Sequence, residues 1–186
     1  MTAPAIPNLV AGTWEIDPVH SDVSFNVRHM MVSKVRGSFR TFSGAITITD
    51  DPGTASAEAT IDLASIETNN EQRDGHIKSA DFFEVEKYPT MTFRSTGVRA
   101  DGGDYVVTGD LTLKGVTKSV DLNVEVGGAG PDAFGGTRAG FTANTTINRS
   151  DFGVDISMPM DGGGVVVGEK VSVQLEIEAV LKTDAA

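Results

Sequence analysis

Apolar and polar residues alternate along most of this chain, and the segment from Val19 to Phe42 shows the alternation most clearly. Val23, Phe25 and Val27 fall on one face of an extended strand, and the polar residues between them fall on the other. The next position on the apolar face is His29. Burying an unsatisfied polar group costs about 1–3 kcal/mol. We therefore predict that His29 points inward and bonds to protein, water or a ligand.

Similar alternating rows follow, separated by clusters of Gly, Asp and Pro that predict tight turns. The rows cover residues 42–49, 55–63, 91–95, 105–113, 120–126, 139–147 and 171–181. About eight antiparallel strands of this kind form a sandwich or close into a barrel, and closure removes the exposed edges. An eight-stranded barrel has space for side chains or for one small ligand. We predict an all-β fold, an antiparallel eight-stranded barrel.

The region from Ser65 to Phe83 interrupts the alternation, because it has few β-branched residues. Thr68 or Asn69 is the candidate N-cap ahead of the acidic and amide side chains that follow. The sequence therefore predicts a short helical segment around residues 69–83.

Length, charge and terminal composition limit the domain organisation, the partners and the location that the chain can have. The 186 residues fit one domain, which we place at 13–182, between a flexible N-terminal arm at 1–12 and a C-terminal tail at 183–186. A net charge of −11 argues against nucleic-acid binding. Pro4 and Pro7 interrupt the first residues, which lack the pattern of a signal peptide, so we expect a cytoplasmic protein. No apolar run is long enough for a transmembrane segment.

Motifs for catalysis and cofactors are missing from the sequence. The chain has no cysteine, no histidine pair at metal-ligand spacing and no nucleophile elbow, and its glycine clusters at 127–136 and 162–164 are interpreted as hairpin connections. We expect no metal and no cofactor. His20 is interpreted as a turn-stabilising residue, whereas His76 lies in the irregular segment, where a functional role and a solvated helix face explain it about equally.

Arg149 continues the inward row of strand 139–147 just where that strand reaches a turn. Two interpretations stay open for it. It either pairs with Asp151 at the rim, or it anchors an acidic head group at the mouth of a cavity. Aromatic residues and methionines alternating with small Ala and Gly positions are compatible with a barrel that its own side chains do not fill. The candidate apolar lining comprises Phe25, Val27, Met31, Phe39, Phe42, Met91, Phe93, Leu111, Leu113, Phe141 and Phe152.

Several motifs, in order, resemble the signature of the YceI-like family. They are Trp14-x-Ile16-Asp17-x-x-His20-Ser21, Phe25-x-Val27-x-His29-Met30, Gly37-x-Phe39, Arg73-Asp74-x-His76-x-x-Ser79-x-Asp81-Phe82-Phe83, Tyr88-Pro89-x-x-x-Phe93, Gly109-Asp110-Leu111-Thr112-x-x-Gly115-Val116-Thr117 and Arg149-x-Asp151-Phe152-Gly153. The resemblance runs from about Thr13 to Leu181. It implies a lipocalin-like barrel that holds a polyisoprenoid or fatty-acyl amphiphile, without turnover. It also implies that His29, Arg149, Arg73 and His76 are the shared polar residues, although Arg73 and Asp74 equally fit a structural ion pair.

The leading hypothesis is therefore a carrier that encloses an apolar tail and receives the polar head near His29 and Arg149. A second hypothesis is an enzyme in which His29 or His76 acts as general base on a lipid-like substrate. A third is an interaction module with an acidic outer face and a fully packed interior. A homodimer is the default expectation for an oligomer, with no specific support in the sequence.

Overall fold

The computed structural model describes residues 5–158, 160, 161, 163 and 166–183, which form an antiparallel β-sheet of eleven strands. One α-helix, α1 (Glu71–Lys78), occurs among these residues. The strands are β1 (Gly12–Ile16), β2 (Asp22–His29), β3 (Ser33–Phe39), β4 (Phe42–Ile48), β5 (Ser56–Asp62), β6 (Ile66–Glu67), β7 (Thr90–Asp101), β8 (Asp104–Leu113), β9 (Val116–Pro131), β10 (Thr137–Asn148) and β11 (Val167–Leu181). None of the described helices is long and apolar enough to cross a membrane.

The sheet closes on itself through eight of these strands. Backbone ladders join β1, β4, β5, β7, β8, β9, β10 and β11 in that order, and β1 pairs with β11 to complete the circuit. The first part of β11 pairs with β2, which carries β3 and then the short β6. Because β1 and β2 follow each other along β11, they act as one interrupted strand of the barrel. The predicted antiparallel eight-stranded barrel is confirmed.

The barrel has two ends, which we name by their connections. The hairpin end contains the β2–β3 turn, the β8–β9 turn and a 3-10 turn at Arg149–Phe152 after β10. The opposite end contains the end of β4, the β7–β8 turn and the β9–β10 connection. Helix α1 and the turns after it lie over the hairpin end, where Phe83 packs against Phe39 with ring centroids 6.3 Å apart.

Helix α1 lies within the predicted helical segment, but its N-cap is Asn70. The Asn70 side chain accepts a hydrogen bond from the backbone N–H of Arg73 at 2.9 Å. The prediction of Thr68 or Asn69 as N-cap was therefore wrong. Thr68 is buried and bonds to Asp74, while Asn69 has a left-handed backbone with φ of 61°, so neither side chain caps the helix.

The predicted connection at residues 127–136 is also shorter than expected. Strand β9 runs through its glycines to Pro131, and its residues 123–131 pair with residues 137–144 of β10, with one register shift between Gly140 and Phe141. Only residues 132–136 connect the two strands, and the Asp132 carboxylate accepts the N–H groups of Phe134 and Gly136 there. The pairing partner in β10 outweighs the turn preference of these glycines. Of the cluster at 162–164, Gly162 and Gly164 lie outside the described residues.

Two strand glycines are required because aromatic rings lie against them. A Cβ atom on Gly37 would lie 2.5 Å from the ring of Phe25, its cross-strand partner. A Cβ on Gly109 would overlap the ring of Phe93 from β7. These phenyl rings therefore cover bare backbone on the barrel wall, and the large and small residues of the alternating rows fit together there.

Arg138 ties strands together at the opposite end. Its Nη1 donates to Asp17 Oδ2 and Glu178 Oε1, each at 2.7 Å, and its Nε donates to Asp132 Oδ2 at 3.0 Å. The Arg138 guanidinium, helped by a hydrogen bond from His20, holds the pKa of the Asp17 carboxyl well below its usual range. The three carboxylates in turn raise the pKa of Arg138. His20 bonds to Asp17 within its own turn, as predicted.

Replacing Arg138 with methionine is expected to lower the free energy of unfolding at neutral pH. Because the pKa of Asp17 in the folded protein lies below its ordinary value of 3.8, the stabilisation is present above that pH and is lost as the pH falls below it. The stability difference between wild type and Arg138→Met should therefore shrink between pH 5 and pH 2, as measured by urea unfolding.

The control variant is Arg94→Met, because Arg94 forms an exposed pair with Glu58 at 3.6 Å. Exposed pairs of this kind contribute little, so this variant should unfold like the wild type at every pH. A difference for Arg138→Met that stays constant down to pH 2 would contradict the assigned role of Asp17.

Candidate ligand-binding site

A cavity of about 1000 Å³ occupies the interior of the barrel. Side chains from all eleven described strands line it, and most of them are aliphatic or aromatic. Protein interiors are normally packed with few voids larger than a water molecule. This volume lies at the upper end of the range found for small-molecule sites. The fully packed interior that an interaction module would need is therefore not observed in the described part of the chain.

Most residues of the predicted apolar lining do line this cavity. They are Phe25, Val27, Phe39, Phe42, Met91, Phe93, Leu111, Leu113 and Phe141. Met31 and Phe152 lie elsewhere. Met31 is exposed in the β2–β3 turn, where a left-handed backbone ends the alternation that holds up to His29. Phe152 is buried in the 3-10 turn and packs into the core beside the cavity.

Sequence reasoning passed over many aliphatic lining residues. They include Ile61, Val107, Val120, Leu122, Val124, Ile147, Val171, Val173, Leu175 and Ile177. These residues occupy the apolar positions of the alternating rows, so the two-residue period alone identifies them. The predicted lining favoured aromatic residues and methionines, so it omitted these aliphatic positions even though the two-residue period includes them.

His29 and Arg149 meet at the hairpin end, on either side of the start of β11. His29 pairs with Val167 in the β2–β11 ladder, and its side chain lines the cavity as Phe25 does. The prediction that His29 lies on the same inner face as Phe25 is confirmed. Arg149 is only 8% exposed and also lines the cavity, so its inward position at the end of the β10 row is confirmed too.

The Arg149 guanidinium is held by main-chain carbonyls. Nε donates to Gly168 O at 2.8 Å, Nη1 to Val154 O at 2.8 Å and Nη2 to Val167 O at 3.2 Å. Its ion pair is with Glu169, at 4.0 Å, and not with the predicted rim partner Asp151. Hydrogen bonds from Ser150 to Glu169 lower the pKa of that carboxyl, which keeps the pair charged. Arg149 therefore fastens the segment after β10 to the start of β11.

Arg73 and His76 line the cavity from helix α1. Arg73 donates from Nε to Thr68 Oγ1 at 2.8 Å and from Nη2 to Thr68 O at 2.7 Å. The neighbouring Asp74 accepts the Thr68 backbone N–H at 2.9 Å. Both residues thus fix the start of the helix on Thr68, through hydrogen bonds rather than the ion pair considered from the sequence.

His76 is half-exposed and makes two contacts on its own segment. Its Nε2 lies 2.8 Å from Asp81 Oδ2, and its ring meets that of Phe82 edge to face, with centroids 5.1 Å apart. The carboxylate orients the imidazole toward the turns after α1. His76 therefore combines a lining position with a contact that stabilises the segment over the hairpin end.

Residues 5–11, within the predicted N-terminal arm, lie against the opposite end. Ala5, Ile6, Leu9, Val10 and Ala11 line the cavity together with residues of the turn after β4. The Asn8 side chain donates to Ala129 O at 3.3 Å, and Trp14 Nε1 donates to Val10 O at 3.1 Å. This segment therefore runs across the opposite end, from the β4 side to β9.

One group of side chains has the composition of a metal site. Ligand atoms of Asp17, His20 and Glu178 lie within 4.8 Å of one another. Arg138 donates hydrogen bonds to both carboxylates, so a guanidinium already supplies the positive charge there. The group is accounted for as part of the Arg138 network.

A closed antiparallel barrel around a large apolar cavity has the architecture of a lipocalin-like β-barrel protein. The family assignment is narrower. Residues 14–179 match the family model described as the YceI-like domain, and the chain belongs to this family.

Related proteins extend this match over most of the chain. Protein YceI of Escherichia coli is 43% identical over 148 residues, which is 78% of this chain and 78% of that protein. The crystal structure of Burkholderia cenocepacia BcnA superimposes with a TM-score of 0.76 at 26% identity, covering 88% of this chain and 98% of that one. A polyisoprenoid binding domain from Saccharophagus degradans, implicated in plant cell wall breakdown, gives a TM-score of 0.69, covering 93% of this chain and 100% of that one. At 20% identity, this last likeness shows the fold alone.

Proposed function

We propose that this protein binds a long-chain amphiphile, a polyisoprenoid or fatty-acyl lipid, with the tail inside the barrel. The observation that carries the proposal is the cavity of about 1000 Å³, lined mostly by apolar side chains. An empty cavity of this kind is costly, because its lining lacks the dispersion contacts of a packed core. An apolar tail supplies those contacts and removes its own surface from water.

The energetics favour a tail of moderate or greater length. Each buried methylene contributes about 0.8 kcal/mol, so about ten contribute roughly 8 kcal/mol. Association opposes this with an estimated cost of about 4–15 kcal/mol. Useful affinity therefore needs a long tail, a favourable head-group contact, or both.

The head group is proposed to lie at the hairpin end. His29 and Arg149 line the cavity at the hairpin end, and Arg73 and His76 line it from helix α1, which covers that end. The acidic lining residues among those described are Asp50 and Glu58, which lie toward the opposite end. Positive and ionisable side chains at one end favour an acidic or polar head group. An acidic head at the opposite end would meet like charge instead.

Binding and carrying, rather than turnover, is the activity we propose. The fold resembles that of a polyisoprenoid binding domain. This likeness supports binding and includes no known enzyme family. The hypothesis that His29 or His76 acts as a general base stays a prediction. The absence of a cofactor and of a metal, the cytoplasmic location and the homodimer also stay predictions. Cell fractionation checks the location and light scattering checks the dimer.

Titration calorimetry of delipidated protein tests the proposal. Carboxylates of increasing tail length should bind with one ligand per chain, with affinity rising until the tail fills the cavity, and with a negative heat-capacity change. An alcohol of the same tail should bind more weakly than the carboxylate. The absence of saturable binding for every tail offered would overturn the proposal, and equal affinity of alcohol and carboxylate would overturn the head-group orientation.

A further inference from the structure

The β2–β3 hairpin differs in charge from the rest of this acidic chain. Residues 23–49 contain four basic side chains, those of Arg28, Lys34, Arg36 and Arg40, and no acidic one, in a protein with a net charge of −11. In a chain with so many acidic residues, a stretch of this length with basic side chains and no acidic ones is not expected by chance. The basic residues are therefore a local feature of the hairpin end.

Three of these basic side chains share the outer face of the hairpin. Arg28 lies directly opposite Lys34 in the ladder, and Arg36 follows opposite Asn26. All three are exposed, and Arg28 also borders the cavity at the hairpin end. Among the described residues, the ion pairs of this region join Arg40 to Glu67 and Arg149 to Glu169, and neither involves these three side chains. Like charges facing each other across a strand pair destabilise it, so the stability of the hairpin does not explain this arrangement.

The tip of the same hairpin is apolar and exposed. Met30, Met31 and Val32 are 37%, 51% and 85% exposed, respectively. Met30 and Met31 both adopt left-handed backbone conformations, with φ of 52° and 61°, which non-glycine residues rarely adopt. The turn therefore projects three apolar side chains into solvent, where contiguous apolar surface usually marks an interaction site.

The apolar tip adjoins the cavity. Val32 N donates to the carbonyl of His29, a lining residue, and Met30 N donates to the carbonyl of Val166, another lining residue. A surface that contacts this tip therefore faces the hairpin end of the barrel. An apolar tip flanked by Lys and Arg is the composition of segments that lie in the interface of an anionic bilayer.

We propose that the β2–β3 hairpin docks on an anionic lipid bilayer. Met30, Met31 and Val32 enter the boundary between head groups and acyl chains, and Arg28, Lys34 and Arg36 contact lipid phosphates. Docking places the hairpin end of the cavity at the membrane, which is where an amphiphile would enter or leave. Docking itself does not require the cavity to hold a ligand, so it is tested separately from the proposed function.

Flotation with vesicles tests the proposal. The wild-type protein should float with vesicles of phosphatidylcholine that contain phosphatidylglycerol, bind pure phosphatidylcholine far less, and lose binding as salt increases. The charge variant Arg28→Gln, Lys34→Gln, Arg36→Gln and the tip variant Met31→Asn, Val32→Ser should each bind the anionic vesicles at least about tenfold more weakly. Asparagine is chosen because it tolerates the left-handed backbone of Met31.

Matched control variants carry the same chemical changes elsewhere. Arg94→Gln, Arg99→Gln, Lys118→Gln removes three exposed basic side chains from β7 and β9, and Phe134→Ser removes an 87% exposed ring at the opposite end. Both should bind vesicles like the wild type. Equal losses in hairpin and control variants, or a wild type that does not float with anionic vesicles, would overturn the proposal. Because Arg28 borders the cavity, the cavity control for the charge variant is Lys34→Gln, Arg36→Gln, which leaves Arg28 in place. Calorimetry with a soluble carboxylate, without vesicles, should show unchanged cavity binding in this double variant, in the tip variant and in both control variants.

Discussion

Tryptophan in place of Ala143 is expected to lower the affinity for a long-chain amphiphile at least about tenfold. Ala143 lies on β10, where its cross-strand neighbours Val124 and Leu175 also line the cavity. Its methyl group is buried and points inward. An indole at this position projects into the volume that the apolar tail is proposed to occupy, so protein and ligand compete for the same space.

The matched control for this variant is Asn144→Trp. Asn144 is the next residue of β10, is exposed and lies opposite Gln174 on the outer face. Calorimetric titration should show wild-type affinity for Asn144→Trp and a large loss for Ala143→Trp, while circular dichroism confirms that both fold. If Ala143→Trp folded and bound as tightly as wild type, the tail would not occupy the centre of the barrel.

Replacing Arg149 with methionine should produce the largest loss of stability among the polar positions, about 3 kcal/mol. Methionine keeps much of the apolar stem but removes the donors to the carbonyls of Val154, Val167 and Gly168. Leaving one buried polar group unsatisfied costs about 1–3 kcal/mol, and water reaches part of this site, so the losses are not expected to add fully. Urea unfolding measures the change.

The control for this variant is Arg99→Met, at an exposed position of β7. Substitutions at exposed positions usually change stability by less than about 0.5 kcal/mol. A change of that size for Arg149→Met as well would show that the three carbonyls do not depend on the guanidinium. A stable Arg149→Met protein with weakened amphiphile binding would instead indicate a direct contact with the head group.

The fold was predictable from sequence because the alternation is local. A period of two assigns each side chain to a face, and closure of eight strands follows from the need to pair their edges. The same rule predicted that His29, two positions beyond Val27, and Arg149, at the end of the 139–147 row, face inward. Both residues line the cavity. Local spacing therefore sufficed wherever the strand stays regular.

Features that depend on distant contacts were not predictable in this way. The N-cap moved to Asn70 because the buried Thr68 bonds to Asp74 and Arg73. The glycines before Pro131 became strand because β10 pairs with them. Residues 5–11 gave no alternating signal, and their place at the opposite end depends on contacts such as that of Asn8 with Ala129. Long-range partners decide each of these positions.

Mass spectrometry of an organic-solvent extract of the purified, folded protein tests the central claim most directly. We expect a long-chain amphiphile with an apolar tail, in an amount approaching one molecule per chain, and absent from the same extraction of Ala143→Trp. An extract of the wild type without any amphiphile, together with a cavity that stays empty when acyl and isoprenyl compounds are added back, would contradict the proposed binding function.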